Sequence, residues 1–400
     1  MIKHSFKLIW NQKKKNAYII IELFIMFLIL FVTGSFVYEK TVRYYEGVGA
    51  DIKNKYYMYL FKNNKVDDSY NKYTNFTKVK ESLLNLNNVK RVSLTQNAAP
   101  YTGGVSKYDI RNGNRSVNIA ERQTDADFAD LFKPNIIKGR WFTEEEMNNT
   151  IIPILIDSET EEYLFDGKGG LNKTITGGRS SDEVETKYQI VGVVDFMKYG
   201  DYSVKLPTII IPCTRSYWNI SQRCEIILEL NDLSKQNPKE YSEAIFSVLD
   251  PNDWTIHRST PFEPMKRTTN SYAAGDLKTT IIVSVFFLIN IILGMFGILG
   301  YNINRRKAEI GLRRAIGSTK RQIKKLLFAE MIMITLISII PAIIIILNIQ
   351  IFVHGAKHLD VTIPSLIGSL IFIFALVSVC VYYPAILASR IEPATALQDE

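Results

Sequence analysis

The sequence predicts a membrane protein with four transmembrane α-helices and a large extracytoplasmic α+β domain inserted between helices 1 and 2. Three observations predict it. Residues 17–38, 280–301, 327–349 and 364–385 are each apolar over the roughly 20 residues that a helix needs to cross a bilayer. Residues 39–279, between the first and second stretches, are rich in aromatics and carry no long Pro/Ser tract, which is the composition of a folded domain rather than a tether. The charge is also partitioned. Of the 48 basic and 40 acidic residues, 32 and 33 fall within 39–279, so the net +8 of the chain comes from the short segments around the spans.

That partition orients the chain. Lys3, Lys7, Lys13, Lys14 and Lys15 precede the first span, nine bases lie between the second and third, and Arg390 follows the fourth. Short basic loops stay on the cytoplasmic side, so both termini are expected inside and residues 39–279 outside. The positive charge is thus a topology signal. It gives no clustered patch on the folded domain of the kind a nucleic-acid partner requires.

In order along the chain, residues 1–16 place Ile2, Phe6, Ile9 and Trp10 at helical spacing with lysines on other faces, the pattern of a cytoplasmic amphipathic helix lying on an anionic leaflet. The first span, 17–38, is longer than the apolar core of a cleaved signal and is expected to remain as an anchor. Within it Glu22 sits one turn from the cytoplasmic end, where polar surroundings are within reach. Residues 39–46 and 271–278 are expected to continue the first two spans outward as a stalk.

Inside the domain, apolar spacing predicts helices at 75–85, 125–132, 159–164 and 238–249, and strands at 89–95, 116–120, 151–156, 188–194, 208–211 and 225–230. The acidic run Glu144-Glu145-Glu146 after Thr143 reads as a helix N-terminus. Cys213 and Cys224 stand at facing ends of two predicted strands on the oxidising side, where a disulfide is open to them if register brings their Cα atoms within about 7 Å. The second span, 280–301, carries Asn290 at its middle, which an interhelical hydrogen bond would satisfy.

Residues 302–326 form the cytoplasmic loop between the second and third spans. Ile310, Leu312, Ala315, Ile316 and Ile323 fit an amphipathic helix broken near Gly317-Ser318, and Glu309 is the lone acid among nine bases. Such a surface suits a protein partner better than lipid. The third span, 327–349, begins with Glu330 near its cytoplasmic end. A short outer loop, 350–363, holds His354, His358 and Asp360, whose composition an interfacial loop gives without any metal. The fourth span, 364–385, and a cytoplasmic tail, 386–400, complete the chain.

The loop pattern Glu309-Ile310-Gly311, then Arg314-Ala315-Ile316-Gly317, a basic helix and Ala329-Glu330 resembles the signature of MacB/FtsX-type (type VII) ABC transporter permeases. The C-terminal run Pro384-Ala385, Ala388-Ser389-Arg390, Pro393 and Ala396-Leu397 is similar to that family's closing pattern, and the blocks 131–145, 154–157 and 188–195 resemble its periplasmic core. The likeness is poorest at 51–74 and 174–186, where substrate-specific elaborations are expected.

The resemblance implies that Glu309, Ile310, Gly311, Arg313, Arg314, Ala315, Ile316 and Gly317 dock on a separate ABC ATPase subunit. It also implies a second permease subunit, as a homodimer or a related heterodimer, membrane lipid around the spans, a bacterial cytoplasmic-membrane location and, in some relatives, a periplasmic adaptor. The expected work is mechanical, for export of a peptide, drug or lipoprotein. A non-transporting, FtsX-like signalling or hydrolase-activating role, and a membrane-anchored enzyme, remain the alternatives.

The chemistry favours the first reading. Gly167-Lys168 and Lys173-Thr174 lack the glycine frame that cradles phosphates, so ATP and Mg are assigned to the partner and no cofactor or metal to this chain. Only sixteen residues precede the first span, and the expectation is an unfused ATPase. Neither H-E-x-x-H nor G-x-S-x-G occurs, so no catalytic residue is assigned.

Overall fold

The computed structural model describes residues 13–63, 76–148, 150–177, 186–213, 223–354 and 359–391. The expected helix over 1–16 lies outside these up to residue 12, as do His358 and the closing motif beyond Ile391. The chain divides into two compact units, one made of the segments up to Val42 and from Ala274 onward, the other Arg43–Ala273.

The first unit consists of helices. Helix α1 spans Lys13–Glu46, and its apolar stripe Ile19, Leu23, Met26, Phe27 and Phe31 follows the i, i+4, i+7 spacing of one helical face. That stripe buries against Met295 and Leu299 of α6 (Phe262–Arg305), Met331, Ile334 and Ala342 of α8 (Lys320–His354), and Ile373, Val377 and Cys380 of α9 (Leu359–Ser389). All four helices are long and apolar enough to cross a membrane. On α8, the Thr335 and Ser338 hydroxyls donate to Met331 O and Ile334 O one turn back. Thr33 on α1 and Ser284 on α6 pair across helices at 2.6 Å.

Glu22 packs against Gly294 of α6, where an added Cβ would lie 2.4 Å from Oε1, and its buried Oε2 has no hydrogen-bond partner among the described residues. Asn290 does not bond to another helix. Its amide donates to Phe286 O on its own helix at 2.7 Å, and the side chain is exposed.

The second unit is α+β, with two lobes on one continuous run of paired strands. In the first lobe β1 (Lys55–Lys62) pairs antiparallel with β10 (Arg223–Leu230) and β11 (Trp254–Pro261), and β10 pairs with β2 (Val89–Gln96). Helices α2 (Phe76–Leu84) and α5 (Pro238–Phe246) bury Phe76, Val79, Leu83, Tyr241 and Ile245 in the core shared with this sheet. The Phe76–Trp254 and Tyr56–Tyr241 ring pairs, 5.3 Å apart, lock helices to strands.

The second lobe closes on itself. Strand β4 (Arg115–Thr124) pairs with β3 (Ser106–Asn112), β3 with β7 (Thr174–Gly177), β7 with β8 (Thr186–Val194), β8 with β6 (Ile152–Asp157), β6 with β9 (Thr208–Pro212), and β9 returns to β4. Ile110, Ile119, Ile154, Ile156, Ile190 and Ile209 fill the ring. A short strand β5 (Ile136–Gly139) adds to β8, and a short helix α3 (Phe128–Phe132) precedes it. Glu146 sits in a 3-10 turn and accepts the Thr143 N–H at 3.0 Å, so one of the three acids caps the turn as its sequence position suggests.

The two lobes meet where β2 pairs with β4, at Thr95 with Thr124 and Gln96 with Gln123. Here Arg122 is fully buried, its guanidinium donating to Ala98 O and Met197 O and stacked 3.8 Å from the Tyr199 ring centre. The disulfide left open to Cys213 and Cys224 is not formed: both are free, buried thiols. Cys213 follows β9, which is paired with β4 and β6, whereas Cys224 is on β10 between β1 and β2, so the two predicted strands are not neighbours.

Helix α4 (Ser158–Phe165) begins at Asp157, which accepts the Thr160 N–H at 2.9 Å and the Thr208 N–H at 3.0 Å. Burial raises this carboxyl to about 6. A carboxyl raised on folding binds its proton more tightly in the native state, so its contribution is fully present below about pH 4 and is lost as pH rises through about 6. Asp157→Asn should keep the cap and flatten the pH dependence of stability in that window. Asp157→Ala should lose about 1 kcal/mol by thermal or denaturant unfolding.

Candidate functional site: the loop between the second and third spans

After α6 ends at Arg305, Arg306 breaks the helix and α7 runs over Lys307–Ala315. The breaking residue is also the anchor. Its Nη1 reaches both oxygens of Glu330 on α8, at 3.0 and 2.8 Å, while Nε contacts Glu309 at 3.0 Å. Glu309 also accepts from Arg313 Nη2 at 3.0 Å. Burial opposes ionisation of Glu309, but Arg306 and Arg313 outweigh it and hold the carboxyl below the ordinary glutamate range. The Glu309 contacts are therefore complete at neutral pH and are lost only as pH falls through that lowered value.

Apolar packing fixes the other edge. Ile310 is buried with Ile323 of α8 and Ala388 of α9, and Ile303, Leu327 and Ile391 pack around them. Gly311 is buried beside Ile310. Two of the eight residues expected to contact a partner thus face inward. Leu312, Ala315, Ile316 and Gly317 face outward, with Leu312 51% and Ile316 78% exposed. Arg313 and Arg314 lie between: Arg313 holds Glu309, and Arg314 donates to Ser318 O at 3.1 Å.

The turn after α7 is closed by its own backbone. Ser318 N–H bonds to Arg313 O at 3.0 Å and Gly317 N–H to Arg314 O at 3.1 Å, the paired bonds of a Schellman C-cap. Gly317 has φ +101°, open to glycine and strained for residues with a Cβ. Helix α8 then starts with reciprocal caps. Gln322 N–H donates to Thr319 Oγ1 at 3.2 Å and Thr319 N–H to Gln322 Oε1 at 2.8 Å. Sequence reading singled out neither this capping box, a T-x-x-Q visible at 319–322, nor the Arg306–Glu330 pair. The pair joins residues 24 apart and has no local signature.

A second feature lies in the outer unit, on the loop after β8. Buried Lys198 donates to Arg43 O and to Asp201 O and lies 3.7 Å from Glu46, all near the C-terminal end of α1. Asp201 accepts from Asn270 Nδ2 at 2.7 Å and Tyr101 Oη at 2.9 Å, with Lys266 Nζ at 3.5 Å. Asn270 and Lys266 belong to the first turns of α6. One short loop therefore grips the outer ends of both helices. Among the described residues no group of three or more His, Cys, Asp or Glu side chains is arranged to hold a metal.

Four apolar helices, a two-lobed α+β unit inserted after the first, and a braced amphipathic helix before the third define a multi-pass membrane permease. Comparison with known families gives the same class: a MacB-like periplasmic core domain matches residues 33–245 and an FtsX-like permease C-terminal domain matches 281–393. The chain belongs to the MacB/FtsX family of ABC transporter permeases. It is similar to the uncharacterized ABC transporter permease YvrN of Bacillus subtilis, 25% identical over 328 residues, covering 75% of this chain and 76% of the relative. It is also similar to the macrolide export ATP-binding/permease protein MacB of Bartonella henselae, 25% identical over 320 residues and 75% of this chain; that alignment spans 46% of the longer relative. Among solved structures, the periplasmic region of MacB from Actinobacillus actinomycetemcomitans matches 56% of this chain and 94% of its own at 16% identity and a TM-score of 0.37.

Removing the anchor should loosen α7. Arg306→Ala leaves Glu330 without its guanidinium partner and should cost on the order of 3 kcal/mol in the purified membrane protein, read as a lowered melting temperature. Arg306→Lys should recover only part of this, because an ammonium cannot repeat the two-pronged contact. Gly317→Val should cost about 1–3 kcal/mol through backbone strain alone.

Proposed function

We propose that this permease transmits ATP-driven motion from a separate ABC ATPase subunit, bound at α7 on the cytoplasmic side, to the outer α+β unit. ATP and Mg belong to that partner. The carrying observation is the exposed rim of Leu312 and Ile316 on a helix otherwise braced to α8 and α9. Two exposed aliphatic side chains one turn apart, with basic neighbours at Lys320 and Arg321, form the apolar centre and charged edge of a protein contact.

Force applied to this rim passes into α8 through Arg306–Glu330 and Ile310–Ile323, and into α6 through the chain itself. At the other end, the Lys198–Asp201 loop receives α1 and α6. The basic segments around the spans support cytoplasmic termini in a bacterial cytoplasmic membrane, and the family resemblance supports two permease chains in the working complex. The substrate class consistent with mechanical work by an outer domain is an exported peptide, drug or lipoprotein. A periplasmic adaptor is compatible with this reading but not required by it.

Ile316→Asp places an unpaired carboxylate at the centre of the contact. It should abolish co-purification with the ATPase and its coupled hydrolysis, a loss of about 2 kcal/mol or more, while membrane levels stay normal. Lys324→Ala should change little. Full complex formation and turnover with Ile316→Asp would reduce α7 to a basic linker. In sealed cells, an impermeant thiol reagent should label Lys168→Cys and spare Ser318→Cys; labelling at 318 would reverse the orientation and remove the docking role.

A further inference from the structure

Where the four long helices meet α7 they leave a partly open cavity of about 250 Å³. Most of its lining residues are apolar and all four spans contribute, with Ile19 of α1, Leu299 of α6, Ile334 of α8 and Val381 of α9 among them. Asn302, Arg305, Arg306, Glu309 and Glu330 supply the polar part. Pockets that enclose a whole drug-sized ligand measure roughly 300–1,000 Å³, so an occupant of this cavity inserts only part of itself.

The polar groups are not balanced. Arg306 and Arg313 meet Glu309 and Glu330 in one network of ion pairs, two cations against two carboxylates. Arg305 stands outside that network. Among the described residues its guanidinium forms no hydrogen bond or ion pair, and neither does the side-chain amide of Asn302, three residues earlier on the same helix. One positive charge and one amide are thus left to an occupant, beside walls that are mostly hydrocarbon. The matching ligand is an anion with an apolar body.

Exposed tyrosines set the level of the cavity in the bilayer. Tyr18, Tyr301, Tyr382 and Tyr383 are 60–75% exposed, and each is next in sequence to a lining residue, Ile19, Asn302, Val381 or Pro384. Tyrosines at the ends of apolar spans sit among lipid headgroups. The uncommitted Arg305 therefore lies at the depth of lipid phosphates, and the apolar wall faces the start of their chains. Basic pockets between spans on the cytoplasmic side recognise anionic headgroups in this way.

We propose that this cavity binds an anionic phospholipid, its phosphate on Arg305 and Asn302 and the first part of an acyl chain against Ile19, Leu299, Ile334 and Val381. In the orientation proposed above, the lipid comes from the cytoplasmic leaflet. It packs beside Glu309 and Ile310 of α7, so the charge of the surrounding lipid governs how firmly α7 is held. That consequence rests on the docking role proposed for α7; the binding itself does not.

The test is native mass spectrometry of the delipidated full-length permease, without an ATPase. Phosphatidylglycerol, phosphatidylcholine and glycerol 3-phosphate are added separately at equal concentration. Phosphatidylglycerol should remain bound, one molecule per chain, and the other two should not. Arg305→Gln should weaken its binding about fivefold, as expected for one basic residue. Arg305→Lys should keep most of it. Lys325→Gln, which removes an exposed base outside the cavity, should leave binding unchanged. Equal retention of phosphatidylcholine, or equal weakening by Arg305→Gln and Lys325→Gln, would overturn the site. Displacement of the lipid by glycerol 3-phosphate would overturn it as well, in favour of a soluble phosphate. Ile316→Asp should bind phosphatidylglycerol as the parent does, so a failure of ATPase docking leaves the lipid site standing and removes only its consequence for α7.

Discussion

The contact between Arg306 and Glu330 governs the segment between the second and third spans. A helix that leaves the membrane and turns along its surface has unsatisfied backbone groups and no apolar core of its own. Arg306 solves this at one residue: its backbone breaks α6 from α7, and its side chain reaches two carboxylates on different elements. Glu330 lies at the start of a span, where an unpaired charge would be costly, so the pair stabilises both partners. With α7 held on that side and Ile310 buried on the other, Leu312 and Ile316 are left facing outward on a rigid support. Their exposure follows from the bracing of everything around them.

The outer unit shows the same economy. Lys198 and Asp201 lie three residues apart on one loop and take opposite roles, the cation at the C-terminal end of α1 and the carboxylate among the first turns of α6. Above them, Arg122 joins the two lobes through backbone carbonyls rather than through an ion pair. Buried groups of this kind tolerate little displacement, since separating them strands a charge away from water. The lobe junction is therefore expected to resist bending.

Much of this was legible in the chain. The spans, the break at Gly317-Ser318 and most strands of the outer unit follow from local periodicity, and each appears within a few residues of its expected place. The omissions share a cause. Strand β1, Lys55–Lys62, is paired on both edges and largely buried, so it shows no polar alternation to distinguish it. Strands β3, β5 and β7 are short or largely polar, and only pairing with distant partners, in the ring for β3 and β7 and on β8 for β5, makes them strands. The Cys213–Cys224 disulfide was conditional on register, and pairing partners far apart in sequence put two intervening strands between β9 and β10. At the site, periodicity found the amphipathic helix but assigned all its apolar residues to one partner-facing surface. Burial divides them, with Ile310 and Ile323 inward and Leu312 and Ile316 outward. That division depends on α8 and α9, which no local pattern can supply.

The central claim is that the outward rim of α7 meets an ATPase. A photo-crosslinking amino acid at position 312 or 316, irradiated in native membranes, tests it directly. A single adduct with a nucleotide-binding subunit, sensitive to ATP and missing when the probe sits at buried position 310, is the predicted result. Adducts only with lipid, or none from either position while the protein is folded in the membrane, would contradict it.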